Sequence, residues 1–333
     1  MPGGSSFPHP DAFDASGSGE TATRSEEDPL LAGPERSATI LVTGGSGFLA
    51  RHLVPRLLGR GHRVRAACRR GAGPAGRTPR GLEWVSADLT DGADVEGLAE
   101  ECEVVVHLAG GPLDDPVAAR RVEIEGTRNL VREADRAGAR RVVLVSALGA
   151  EEAAGPLFDV KRAAEAVVRS ARAEHVILRP SVVVGPDDHV VSVLARALRR
   201  GPVLMPGGRV RETGVLQPAA VEDVAEALCQ AVERPDLADT THRLAGPDAL
   251  APSGVVRAVA ARLSLVRRVI PLPRWTGRRL EGLADRTGLT APAAMRALDV
   301  RALPGEVEDA ARALRRVFHL EPLPFAVALD DYL

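Results

Sequence analysis

Aromatic residues are scarce in this chain: they make up 3% of 333 residues, with two tryptophans, six phenylalanines and one tyrosine. Proton transfer by a tuned phenol would therefore rest on Tyr332 alone, in the last turn of the sequence. Cysteine is scarce as well. Cys68, Cys102 and Cys229 are odd in number and far apart. That excludes a disulfide framework and a zinc spacing, predicts no metal site, and suits a reducing cytoplasm. Neither sign of charge dominates, because 43 Lys+Arg against 45 Asp+Glu leave a net charge of −2. A global basic field for nucleic acid or an anionic membrane surface is thus excluded. Long apolar runs are missing too. Stretches such as Val142–Val145 are far too short to span a bilayer, so no integral membrane segment is expected. A secretory signal would need a basic start and a continuous apolar stretch, and neither is there.

Apolar residues are plentiful, at 45%, and the length suffices for one large α/β domain with a smaller lobe attached. Residues 1–37 are rich in Gly, Ser, Pro, Asp and Glu without apolar periodicity, and predict a disordered tail. Order is expected to begin at Ser37–Thr43, a β-branched run ending in glycines that reads as a buried parallel strand. A helix follows from Phe48 to Leu58. Further strands are predicted at 62–68, 82–87, 104–108, 141–146 and 175–178. Helices are predicted at 91–101, 116–137 and 157–173. This alternation predicts a doubly wound parallel-sheet Rossmann fold over 38–181, with helices on both faces. After Pro180 the rhythm changes, and 182–333 reads mainly as a small C-terminal α+β substrate lobe with some segments returning to the core. Its surest element is an amphipathic helix at 221–233 with Glu222 and Asp223 in its first turn. Possible substrate contacts there are Arg209, Arg211, Arg274 and Trp275.

The loop Thr43-Gly-Gly-Ser-Gly-Phe-Leu-Ala50 lies between a predicted strand and a predicted helix, the context in which a glycine fingerprint binds a dinucleotide. Gly44 permits the tight turn, Gly47 lets the backbone approach a pyrophosphate, and the small Ala50 lets helix and strand pack. Gly45, Ser46, Phe48 and Leu49 complete the cradle. The second strand ends in Cys68-Arg69-Arg70, with no carboxylate to hold a ribose 2′-hydroxyl. Two guanidiniums suit a 2′-phosphate, which favours NADP(H) over NAD(H). Asp88 after the third strand has two readings, an acceptor for the adenine amino group or a helix cap. His107 ends the fourth strand and reads more readily as a satisfied structural histidine than as a catalytic one.

TGGSGFLA, ADLTD, HLAG, EGTRNLV, VVLVSALGA, the isolated Lys161 and ILRPSVVVGPDD resemble the extended and atypical short-chain dehydrogenase/reductases. The chain is most similar to the branch that includes the nucleotide-binding accessory subunit of respiratory complex I. This resemblance implies NAD(P)(H) along the carboxyl edge of the sheet. It places Asp88 and Leu89 at the adenine, and Leu108, Ala109 and Gly110 at the ribose. Ser146, Lys161, Pro180, Ser181 and Val182 would lie at the nicotinamide.

The family's chemistry uses Tyr-x-x-x-Lys with a nearby Ser, general acid–base catalysis by a tuned phenol. Here Leu157 stands four residues before Lys161, Leu148 stands where many members place the hydroxyl, and Glu123 replaces the usual asparagine before Gly-Thr. Lys161 and Ser146 are what remain as catalytic candidates. Asp159, Asp187 and His107 are possible replacement acids that no spacing selects. Two functions follow: an NAD(P)-dependent oxidoreductase acting on an unknown small molecule, or a non-catalytic NADP(H)-binding redox sensor or scaffold. An epimerase or isomerase with tightly held NAD would also need the missing phenol. A homodimer or association with a membrane complex stays open.

Overall fold

The computed structural model describes residues 37–69, 78–111, 115–153, 155–200, 203–206, 214–265, 269–272, 308–330 and 333. Most of the expected tail lies outside them, as do Arg70, Arg209, Arg211, Arg274, Trp275 and Tyr332.

The first half alternates strand and helix as the hydrophobic runs predict. It contains β1 (Thr39–Thr43), α1 (Phe48–Gly59), β2 (Arg63–Cys68), β3 (Leu82–Ser86), α2 (Gly92–Val95), β4 (Val104–His107), α3 (Pro116–Arg120), α4 (Thr127–Ala137), β5 (Arg141–Val145), α5 (Pro156–Arg169) and β6 (Glu174–Pro180). Then come β7 (Val183–Val184), α6 (Val191–Arg200), β8 (Val203–Pro206), β9 (Ala219–Ala220), α7 (Val221–Glu233), β10 (Thr240–Leu244), α8 (Pro252–Arg262), β11 (Val269–Leu272), α9 (Glu308–Arg316) and α10 (Phe325–Asp330). The main sheet has seven strands in the order β10-β6-β5-β4-β1-β2-β3, and every pairing in it is parallel. Strand order reverses between β1 and β4, and that reversal opens a crevice at the carboxyl ends of the strands.

Period-two alternation along the strands builds two cores. Ile40, Val42, Val104, Val106, Val143, Val176 and Leu178 face one side and join Leu53 and Leu57 of α1 with Val224, Leu228 and Val232 of α7. Leu41, Val105, Val142, Leu144 and Ile177 face the other and join Leu130, Val131 and Ala134 of α4. A third cluster gathers Val184, Val191, Leu194 and Leu198 with Val255, Val256, Val259, Phe325 and Leu329, away from those sheet faces.

Two expectations change. The helix expected over 91–101 is only the short α2, because Gly97 adopts φ +80 and the residue before it, Glu96, is extended. The helix over 116–137 is interrupted by a π-helical turn at Arg121–Gly126. Thr240–Leu244, within the span read as a C-terminal lobe with some segments returning to the core, is the seventh strand of the main sheet. Among the described residues no helix is long and apolar enough to cross a membrane.

Candidate functional site

The turn from β1 to α1 lies at the crevice, and its glycines are required by space. Gly44 has φ +69, and a Cβ there would sit 2.8 Å from the Ala109 amide nitrogen. A Cβ on Gly45 would meet that of Ala66 at 2.9 Å, and one on Gly47 would sit 3.0 Å from the Gly44 carbonyl. The Gly47 amide donates to that same carbonyl at 2.8 Å, which closes the turn. Gly47 is the N-cap of α1 and brings no side-chain cap. The first-turn amides of Phe48, Leu49 and Ala50 therefore point outward at the positive end of the helix dipole, which suits a phosphate. Ala50 is buried in the core beneath, as its small size allows, while Ser46 is exposed. This cradle, which any larger side chain would fill, fits a pyrophosphate.

On the β2–β3 side, Arg69 is exposed just past β2. Asp88 accepts from the amide and the hydroxyl of Thr90 at 2.9 and 2.8 Å. Those bonds come first, and the charges of Arg69 and Arg121 add to them, in holding its carboxyl below the usual range. The helix that follows is capped by Asp91 instead, through the Ala93 amide. Leu89 is buried, and its carbonyl accepts from Asn129 Nδ2 at 2.9 Å.

On the other side, the β4 end passes through half-buried Leu108 and Ala109 to Gly110. A Cβ on Gly110 would sit 3.1 Å from Glu123 Oε1 and 3.9 Å from Lys161 Nζ. Those two side chains form an ion pair at 2.8 Å, with 5% and 13% of their side-chain surfaces exposed. Lys161 also reaches Oε2 at 2.9 Å, and the Gly111 amide points at Oε1 from 3.4 Å. Glu123 sits on the π-helical turn, a kind of helix irregularity that recurs at functional sites.

His107 is fully buried between two threonines. Its Nδ1 lies 2.7 Å from Thr43 Oγ1 and its Nε2 lies 3.0 Å from Thr127 Oγ1. The Thr127 hydroxyl donates its only proton to the Glu123 carbonyl. It can therefore only accept from the ring, which makes His107 a neutral Nε2–H tautomer accepting from Thr43. Burial, helped by the Lys161 charge, pushes its pKa down to about 3. This is a structural histidine that ties β4 to β1 and to the start of α4.

Ser146 donates to the buried carboxylate of Glu165 at 2.5 Å, and Arg179 forks onto both oxygens of that carboxylate at 2.8 and 2.6 Å. Burial alone would raise the Glu165 pKa, but the bonds from Arg179 and Ser146 outweigh it and hold it below the usual range. The carboxyl ends of β5, β6 and β10 are tied side by side by Leu148 N to Pro180 O and Ser181 N to Leu244 O, each at 2.8 Å. Pro180, Ser181 and Val182 are all buried there. Leu148 and Leu157 pack into one apolar cluster with Phe158, Ala245 and Ala310. The two positions at which the family pattern places a hydroxyl and a phenol thus form a single hydrocarbon patch. Of the candidate replacement acids, Asp159 is exposed and paired with Arg162, and Asp187 is exposed and paired with Arg51. The residue that sequence reasoning left without a partner is Glu123. A carboxylate on the inward face of an amphipathic helix was the available signal.

The model of the NAD dependent epimerase/dehydratase family matches residues 40–245. A ceramide reductase of Caulobacter vibrioides is 31% identical over 241 residues, which cover 70% of this chain and 73% of that protein. The photosystem II assembly factor Ycf39 of Synechocystis is 26% identical over 222 residues, 66% of this chain and 65% of that protein. A cinnamoyl-CoA reductase of Petunia hybrida matches over only 35% of its own length, at 36% identity and covering 33% of this chain. Among solved structures, the UDP-glucose 4-epimerase of Thermotoga maritima aligns with a TM-score of 0.67 at 20% identity, over 88% of this chain and 96% of that one. The enzyme WbmH of Bordetella bronchiseptica, in complex with NAD+, aligns with a TM-score of 0.69 at 17% identity, over 89% and 97%. At these identities the two structures speak for the fold.

Proposed function

Because the chain belongs to the NAD-dependent epimerase/dehydratase family, an NAD(P)-binding family of Rossmann fold, we propose that it is an NADP(H)-dependent oxidoreductase working without a phenol. One observation carries this reading: the glycine cradle, the β4 end and the buried Glu123–Lys161 pair follow one another without a gap along the carboxyl edge of the sheet. The amides of Phe48, Leu49 and Ala50 would hold the pyrophosphate. Arg69, with no carboxylate beside it at the end of β2, favours a 2′-phosphate over a free 2′-hydroxyl. Leu89 would line the adenine, and Leu108, Ala109 and Gly110 the ribose. Pro180, Ser181 and Val182 would border the nicotinamide, and Lys161 would donate to its ribose. Once bound, the nicotinamide would supply a hydride. The proton for the substrate oxygen would come from water or from the substrate itself, since Leu157 and Leu148 can give none. Ser146 is assigned the positioning of Glu165 rather than proton transfer.

The apolar Leu148–Leu157 patch favours a second reading, in which the bound dinucleotide is a ligand that signals redox state or stabilises the fold without turnover. Native mass spectrometry of the purified protein tests the shared premise. NADP(H) is expected, and finding no nucleotide on the protein together with no binding of added NADPH refutes both readings. NADPH oxidation with quinones, aldehydes and ketones then separates them. Turnover by the wild type supports the oxidoreductase, whereas turnover only after Leu157→Tyr supports the ligand reading.

A further inference from the structure

Resting on the reading that a nicotinamide dinucleotide seats on the glycine turn, we infer that Glu123 sets the preference of this site for the oxidised over the reduced nucleotide. The argument is one of charge and place. Gly44 abuts Ala109, and the next residue, Gly110, abuts both Glu123 and Lys161. A ligand whose phosphates lie on the turn, and whose adenosine half runs toward Arg69, must send its other half along residues 108–110 to this pair. The two redox forms carry the same phosphates and the same adenosine. They differ in net charge only at the nicotinamide ring, which is a cation when oxidised and neutral when reduced. The ratio of their affinities therefore reports how that end of the site discriminates the two rings, with charge the largest difference between them.

Lys161 by itself would repel the oxidised ring. Glu123 cancels that repulsion, because it is held by Lys161 on both oxygens and is almost wholly buried. Burial weakens the screening of the carboxylate by water, so a neighbouring cation feels its charge. Among the described residues beside the pair, His107 is a neutral ring, and Gly110 and Gly111 bring no side-chain charge. An asparagine at position 123 would leave the lysine charge uncompensated.

Dissociation constants for NADP+ and NADPH, measured by titration calorimetry on the full-length wild type, Glu123→Gln, Glu123→Asp and Glu123→Asn, test the inference. Glu123→Gln is expected to raise the ratio of the NADP+ constant to the NADPH constant by about tenfold, the order given by one charge a few ångströms from another. Glu123→Asp keeps the charge and should hold the ratio within about twofold. Glu123→Asn removes the same charge with a shorter side chain and should raise the ratio likewise, which keeps the test decisive should the glutamine variant fail to fold. An unchanged ratio, with both constants moving together, overturns the inference and makes Glu123 a purely structural residue. Failure of the wild type to bind either nucleotide overturns the underlying reading instead, and the inference falls with it.

Discussion

The pKa of buried His107 predicts that acid destabilises this protein well above the carboxylate range. In the unfolded chain the ring titrates near 6.5, whereas in the fold burial, with the Lys161 charge beside it, pushes that value down to about 3. The folded state thus holds the ring neutral while the unfolded state takes up a proton. The stability that depends on the neutral ring is complete above about pH 6.5 and is lost as pH falls toward 3. Between pH 7.5 and pH 5 the loss works out to about 2 kcal/mol, from 1.36 kcal/mol per unit. Other groups act in the same direction. Glu133, Glu165 and Glu233 are held below their usual values, so their contribution fades mainly under pH 4.5. A variant separates the two effects. In His107→Gln the amide can donate to Thr127 and accept from Thr43 as the neutral ring does, and it has no proton to gain. Urea unfolding of both proteins at pH 7.5, 6.0 and 5.0 should show the wild-type midpoint falling and the variant midpoint nearly level. Parallel loss in the two would refute the neutral-histidine account.

Three further outcomes follow. Gly44→Ala places a methyl 2.8 Å from the Ala109 amide at φ +69. It should lower stability by about 2–4 kcal/mol in urea melts and abolish nucleotide binding in a fluorescence titration. Glu165→Gln removes the buried charge opposite Arg179, which keeps Glu151 as its second partner. It should cost about 1–3 kcal/mol, whereas Glu321→Gln at the exposed Arg315 pair should shift the melting midpoint by little more than error. Arg69→Ala should weaken NADPH about tenfold while leaving NADH unchanged. Equal changes in both would remove Arg69 from the 2′-phosphate.

The parallel strands were legible because each reads as a short β-branched apolar run, and the crevice was legible because Gly44 and Gly47 lie between a strand and a helix. What stayed hidden depends on contacts distant in sequence. Thr240–Leu244 has a single fully buried residue, Leu244, so no periodicity marks it as a sheet strand. Its place is set by its pairing with β6. The π-helical turn leaves the hydrophobic spacing of a long helix almost intact, and so reads as α-helix. Gly97 was visible as a residue, but nothing local shows that it adopts positive φ instead of continuing a helix. The site was half legible. Leu157 and Leu148 could be named as departures one by one, yet their shared apolar patch, and the union of Glu123 with Lys161 across 38 residues, exist only in the folded chain.

The position of β10 also has a consequence for synthesis. Its partner β6 is finished at Pro180, but Thr240 leaves the ribosome about 60 residues later. At about 5–20 residues per second that interval is about 3–12 s. Throughout it the backbone donors and acceptors along the outer edge of β6 have no strand to pair with, although the cradle and the Glu123–Lys161 pair are already translated. Such an edge is an invitation to neighbouring chains. Any fragment ending before Thr240, whether a nascent chain, a proteolytic product or a shortened expression variant, should therefore self-associate through that edge.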